Sequence, residues 1–139
     1  MIVFELDIPS LTEHGIQMGE NVFSSMNELL KRIERVEIGN ECLKEVNRFV
    51  IDGLNELKSL IIGKKSFFLY EKFRCESKCV IRNCDQLSVL NIGGGSFYNY
   101  ESFELKNLSS LISIQVGDRI WGAAFYCCQS IVFESKNGE

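Results

Sequence analysis

The chain has 139 residues, 45% of them apolar and 24% charged, so it is long enough to bury the core of one domain. Its formal net charge of −4 argues against a dedicated nucleic-acid binder, which would carry a dominant basic surface. No apolar run is long enough to span a membrane, and the apolar start lacks the basic lead of a signal peptide. We therefore favour a cytoplasmic location, where the six cysteines would stay reduced.

Five short apolar segments, each followed by a glycine, recur along the chain. These glycines are Gly19, Gly39, Gly63, Gly93 and Gly117, and they are spaced by 20, 24, 30 and 24 residues. Self-similarity in this range is typical of solenoids. We therefore predict a repeat solenoid in which residues 1–139 form a single domain of about five coils.

Side chains alternate within each segment, as an extended strand requires. Stacked coils would pair equivalent strands in parallel and produce one inward apolar column: Ile16, Val36, Leu60, Leu90 and Ile114. A second extended segment precedes the first in most coils: Phe49–Ile51, Cys79–Ile81, Phe103–Leu105 and Ile131–Phe133. We expect glycine to allow a positive backbone φ or a close approach where the chain turns. The first repeat fits only if extra residues are allowed before Ile16.

One segment of the chain conflicts with an all-strand prediction. Between Met26 and Val36 the apolar residues recur at intervals of three and four, with charged residues between them, which is typical of an amphipathic helix. A helix near residues 25–33 that leads into a strand at Val36–Ile38 satisfies both patterns. Residues 41–48 are also compatible with a helix, and periodicity does not decide between these interpretations.

The strongest repeats resemble the leucine-rich repeat family. Leu57–Ile62 followed by Phe67 is similar to the L-x-x-L-x-L pattern of that family, and the segments from Leu87 and Leu111 match in the same way. The resemblance covers Phe4 to about Phe133. It implies a parallel β-sheet that presents a recognition surface for another protein, in a mostly β structure with little helix.

The chain departs from the family at one position. The family usually keeps an asparagine three residues after the last strand leucine, and this column here contains Asn21, Glu41, Lys65, Gly95 and Arg119. Since only Asn21 fits, the repeats look more like the irregular ones of some protist and bacterial surface proteins. The tight horseshoe curvature of the family is not implied.

The candidate chemical sites compete with the repeat and are weaker explanations. Cys75, Cys79 and Cys84 do not have zinc-finger spacing, and two of them occupy columns where a buried hydrophobic residue is expected. The GKKS and GGGS sequences at residues 63–66 and 93–96 lack the spacing of a phosphate-binding loop and occupy a turn column. We therefore predict no catalytic residues, no metal and no cofactor.

A basic and aromatic stretch in the third coil suggests a nucleic-acid platform. Its members are Lys64, Lys65, Phe67, Phe68, Tyr70, Lys72, Phe73, Arg74, Lys78 and Arg82. A solvated insertion around buried aromatic side chains is the interpretation that we favour for an acidic chain. No nucleic-acid partner is therefore expected.

The residues predicted to contact a protein partner point outward from the strands. They are Gln17, Arg35, Glu37, Ser59, Ile61, Val89, Asn91, Ser113 and Gln115. Ile61 and Val89 would form an apolar centre inside a polar rim, which is the usual anatomy of a protein interface. Solvated strand residues without a partner are an almost equal alternative.

Two other functional classes stay open. Short parallel strands in coils of this length would also suit a right-handed β-helix enzyme acting on polysaccharide, which needs charged catalytic groups on one face. The chain could also be a structural fragment of a longer array, because neither end has the polar cap of an isolated solenoid. Such uncapped ends would permit self-association.

Overall fold

The computed structural model of the chain describes residues 2–6, 16–19, 32–44, 46–70, 74–117, 124 and 128–134. These residues contain ten β-strands and no helix. The strands are β1 Ile2–Leu6, β2 Ile16–Gly19, β3 Ile33–Ile38, β4 Arg48–Asp52, β5 Ser59–Ile62, β6 Lys78–Arg82, β7 Val89–Ile92, β8 Ser102–Lys106, β9 Ser113–Val116 and β10 Ser130–Glu134.

The strands form two five-stranded sheets in which every pair is parallel. The front sheet has the order β1-β3-β5-β7-β9, and the back sheet has the order β2-β4-β6-β8-β10. The chain alternates between the two sheets, so each coil contributes one strand to each. The predicted repeat solenoid with parallel sheets is confirmed.

Side chains at equivalent positions stack into continuous inward columns. In the front sheet Val36 is in register with Leu60, and Leu60 with Leu90. In the back sheet Phe49 is in register with Cys79, and Cys79 with Phe103. All of these side chains are buried in one core. Each such side chain contributes roughly 1.5–3 kcal/mol through removal of apolar surface from water.

Gly63 and Gly93, which follow the front strands β5 and β7, are required by close packing between coils. A Cβ atom on Gly63 would lie 2.6 Å from the carbonyl carbon of Gly39, and one on Gly93 would lie 2.7 Å from the backbone nitrogen of Lys64. Real Cβ contacts are not this short. After Gly63, positive φ values occur two and four residues further on, 54° at Lys65 and 55° at Phe67, whereas Gly117 after β9 itself has a φ of 90°.

Buried serines connect the coils at the long turn that follows the front sheet. Ser66 Oγ donates to the Gly39 carbonyl at 2.6 Å, and Ser96 Oγ donates to the Gly63 carbonyl at 2.6 Å. The same hydroxyls accept from the backbone N–H of Cys42 and of Ser66. Residues 64–65 and 94–99 are turns, which confirms the prediction for the GKKS and GGGS sequences.

An amide ladder connects the coils at the opposite, short turn. Asn107 Nδ2 donates to Asn83 Oδ1 at 2.8 Å, and Asn83 Nδ2 donates to Asp52 Oδ1 at 2.9 Å. Asn83 and Asn107 have φ values of 57° and 54°, which asparagine tolerates better than most residues. A second side-chain ladder, built from amides, thus connects the coils at the short turn.

The structure corrects the predicted alignment of the first repeat. Strand β2 pairs with β4 of the back sheet, so Ile16 is in register with Phe49 and Gly19 with Asp52. Strand β1 is the one that continues the front sheet, with Phe4 in register with Val36. The prediction that Ile16 shares a column with Val36 was therefore wrong. The two sheets accept nearly the same apolar alternation, and a short segment does not distinguish between them.

Most of the helix predicted near residues 25–33 cannot be compared with the structure, because residues 25–31 lie outside the described residues. Arg32 is in a turn, and Ile33 already begins β3. Within residues 41–48 the described part consists of turns and irregular backbone that lead into β4 at Arg48, so the helical interpretation was wrong there. Buried Cys42, Leu43 and Val46 bring this segment into the core, which overrides its weak periodicity.

Candidate functional site

The outward side of the front sheet carries eight of the nine residues predicted to contact a partner. This surface, the front face, consists of Arg35, Glu37, Ser59, Ile61, Val89, Asn91, Ser113 and Gln115. The register aligns them in two columns across β3, β5, β7 and β9. Parallel pairing on both sides of β5 and β7 holds the middle of the surface in place.

Gln17 does not lie on the front face. Its strand β2 belongs to the back sheet, where Gln17 is in register with Val50. The prediction that Gln17 continues the column of Glu37 was wrong, for the same reason that the first repeat was misaligned. Glu5 of β1 is the residue in register with Glu37.

The centre of the front face is apolar. Val89 is 36% exposed and Ile61 is half-buried. Val89 is in register with Ser59, and Ile61 with Asn91, so each apolar side chain is paired across the sheet with a polar one. The result is a small apolar area within a polar surface.

The two ends of the front face differ in charge. On β3, Arg35 Nε donates to Glu37 Oε1 at 2.9 Å, and the two side chains are partly exposed. On β9, Ser113 and Gln115 are exposed and uncharged. Beside β5, Lys58 Nζ donates to Glu34 Oε1 at 2.8 Å, and this hydrogen bond raises the pKa of Lys58.

The back sheet carries a line of charges that sequence reasoning missed. Arg82 Nε donates to Asp52 Oδ2 at 2.9 Å, and Lys106 Nζ lies 3.2 Å from Glu104 Oε1 and 3.4 Å from Glu134 Oε2. The pKa of Lys106 is raised, chiefly by its hydrogen bond to Glu104. Charged residues that recur at the ends of the second extended segments were the signal that could have revealed this surface.

An open groove of about 510 Å³ lies where the back strands begin. It is lined by Arg48, Glu76, Ser77, Lys78, Glu101, Ser102, Gln129 and Ser130. The Glu76 N–H donates to Glu101 Oε2 at 3.2 Å, and the Glu101 N–H donates to Ser77 Oγ at 2.8 Å. These bonds hold successive coils together. The groove has mixed charge, because both basic and acidic side chains line it.

The cysteines predicted to be core residues are buried. Cys79 and Cys84 have no exposed surface, and burial raises the pKa of the Cys84 thiol to about 11 and also raises the pKa of the Cys79 thiol. Cys75 is exposed at the turn before β6. In the described ranges no group of three His, Cys, Asp or Glu residues is arranged to hold a metal ion.

The basic and aromatic stretch of the third coil does not form one surface. Phe67 is fully buried and stacks on Phe97 with ring centroids 4.6 Å apart, whereas Phe68 stacks on Tyr98 at the half-exposed turn. Lys64 lies in the turn after β5, while Arg82 is on the back sheet and pairs with Asp52. Lys72 and Phe73 lie outside the described residues.

The part of the chain that the structure describes contains no helix of the length and apolarity needed to cross a membrane. Comparisons of the chain with protein-family models, curated proteins and solved structures find no significant match.

Proposed function

We propose that this chain is a non-catalytic, leucine-rich-repeat-like interaction module that binds a protein partner on the front face. The observation that carries the proposal is the arrangement of exposed Val89 and half-buried Ile61 on adjacent central strands, inside a rim of polar side chains. An apolar centre with a polar rim is the common anatomy of protein interfaces. Because both strands pair on each side, the backbone of this surface would lose little conformational freedom on binding.

The polar side chains of the rim favour a partner whose surface carries both charged and uncharged polar groups. Arg35 and Glu37 supply both charges at one end, while Asn91 and Gln115 supply amide donors and acceptors. Polar groups of this kind select a partner and its orientation more than they add affinity. The apolar centre would supply most of the binding energy.

The test compares proteins retained by the wild-type chain with those retained by Ile61→Glu combined with Asn91→Ala. We expect a specific partner to be lost, with an affinity reduced at least about tenfold, because a charge would be buried at the apolar centre. Ser102→Glu on the back sheet is the matched control and should retain the partner. Retention by the front-face variant with unchanged affinity would contradict the proposal.

A second candidate function, a β-helix enzyme acting on polysaccharide, is favoured by one observation. The back sheet carries Asp52, Glu104 and Glu134 together with Arg82 and Lys106 on one surface, which is the kind of clustering such an enzyme needs. Their mutual ion pairs support a structural role instead. Release of reducing sugar from a pectin-type polysaccharide by the wild-type chain, abolished by Glu104→Gln, would favour the enzyme.

A further inference from the structure

The end of the solenoid formed by β9 and β10 exposes side chains that belong to the core columns. Ile114 and Val116 are 47% and 39% exposed, although Leu90 and Ile92 at the equivalent positions of β7 are fully buried. Ile131 and Phe133 of β10 are 55% and 61% exposed, whereas Phe103 and Leu105 of β8 are buried. We call the surface formed by Ile114, Val116, Ile131 and Phe133 the end face.

The exposure follows from the position of these strands and not from a change in the repeat. The same apolar alternation continues in both strands, and the rings of Phe133 and Phe103 lie nearly perpendicular with centroids 5.9 Å apart. Among the described strands, none pairs with the far edge of β9 or β10. Within the described residues, the end face therefore presents two parallel-strand edges that no further strand pairs with, and one apolar layer between them, which is what one coil presents to the next.

The opposite end of the same molecule has the complementary strands. Strand β1 is the terminal strand of the front sheet, and β2 is the terminal strand of the back sheet. The strand register pairs Phe4 with Val36 and Leu6 with Ile38 in the front sheet, and Ile16 with Phe49 and Met18 with Ile51 in the back sheet. A second copy displaced along the solenoid axis would thus place its β1 beside β9 of the first copy, and its β2 beside β10.

The stacked arrangement is compatible in charge and in strand order. Continued registers would pair Gln115 with Glu5 on the front sheet, and Val132 with Gln17 and Glu134 with Gly19 on the back sheet. None of these pairs joins like charges. Since β10 of one copy lies in the back sheet and β1 of the next copy lies in the front sheet, the alternation between sheets also continues from one copy to the next.

We propose that a second copy of this chain stacks head to tail on the end face, with β1 pairing beside β9 and β2 beside β10 as parallel strands. The contact extends the packing already present between neighbouring coils. Because such a contact is heterologous and leaves a free end on each copy, it produces an open series of oligomers rather than a closed dimer.

The test uses the full chain and two variants that each block one end. Phe133→Lys blocks the end face, and Phe4→Lys blocks the opposite end. Asn55→Lys and Gln86→Lys, at exposed turns away from both ends, are controls that add the same charge. Circular dichroism first establishes that each variant is folded. Light scattering after size exclusion then gives the mass across a wide concentration range.

We expect the wild type and both controls to form a concentration-dependent series, each blocked variant to be monomeric, and a mixture of the two blocked variants to stop at a dimer. A wild type that stays monomeric at every concentration would overturn the proposal. Dimerisation of Phe4→Lys alone would also overturn it, because that result requires contact between two end faces. If a blocked variant does not fold, Val116→Lys or Leu6→Lys replaces it at the same end.

Discussion

At the scale of single residues, the glycines at turns are present for two different reasons, which the sequence alone does not distinguish. Gly63 is needed for space, because a side chain there would overlap the backbone of the preceding coil. Gly53 has a φ of +77° and open space around the position of a Cβ atom. Equivalent positions in the next coils carry Asn83 and Asn107 with the same left-handed backbone.

We predict that Gly63→Ala destabilises the chain by about 2 kcal/mol or more, whereas Gly53→Asn changes the free energy of unfolding by less than about 0.5 kcal/mol. Overlap with fixed backbone outweighs the gain of about 0.4–1 kcal/mol that alanine brings by restricting the unfolded chain. Urea denaturation followed by circular dichroism measures both. Equal stability of the two variants would show that close approach is not the reason for Gly63.

Burial of the Cys84 thiol links stability to alkaline pH. Its pKa is raised from the ordinary 9.0 to about 11 mainly by desolvation, so the folded chain keeps the proton that the unfolded chain loses. The contribution of this thiol to the free energy of unfolding is fully present below pH 9 and is lost as the pH rises towards 11. Cys79 acts in the same direction.

We predict that Cys84→Val reduces the fall in the free energy of unfolding between pH 9 and 11, by roughly 2 kcal/mol. Denaturant titrations at several pH values measure the slope. Cys75→Val, at an exposed turn, serves as the control. An unchanged slope in Cys84→Val would mean that other groups cause the alkaline loss.

At the scale of elements, each coil depends on a different polar ladder at each turn. The long turn uses the buried hydroxyls of Ser66 and Ser96, and the short turn uses the amides of Asn83 and Asn107. Both ladders satisfy backbone or side-chain groups that burial would otherwise leave without partners. Strand formation follows from apolar alternation, whereas the turns depend on these specific polar contacts.

We predict that Ser96→Ala destabilises the chain by about 1–3 kcal/mol, because the partly buried Gly63 carbonyl and the buried Ser66 N–H each lose the hydroxyl. The control is Ser110→Ala, whose hydroxyl donates to Asp85 at an exposed turn where water can replace it. Thermal and urea unfolding compare the two variants. A similar loss in both would contradict a special role for the buried ladder.

At the scale of the whole molecule, the solenoid is modular along its axis. Residues 63–92 contain one long turn, one back strand, one short turn and one front strand, and Gly63 and Gly93 occupy equivalent positions. Each coil contacts its neighbours through the same columns, so stability is approximately a sum over coils and their interfaces. The front face and the end face both result from this stacking.

We predict that deletion of residues 63–92 leaves a folded chain with lower stability. Ile62 is then followed by Gly93, which is equivalent to Gly63, so the remaining strands still alternate between the two sheets. Deletion of residues 63–82 is the control, since it removes one back strand alone and leaves two successive front strands. Circular dichroism and cooperative unfolding distinguish the two. A folded control together with an unfolded in-phase deletion would contradict modular stacking.

The sequence by itself determined the repeat, the parallel strands, the buried cysteines and most of the front face, because periodic apolar residues of fixed spacing leave few ways to bury a core. Only the tertiary structure decided which sheet receives β2, and therefore that Gln17 lies away from the front face. It also revealed the ion pairs of the back sheet and the reason for Gly63, since the Arg82–Asp52 pair and the contact of Gly63 with Gly39 join residues 30 and 24 positions apart in the chain. Local alternation specifies that a strand has a buried side, whereas the identity of its neighbour is set by which coil packs against it.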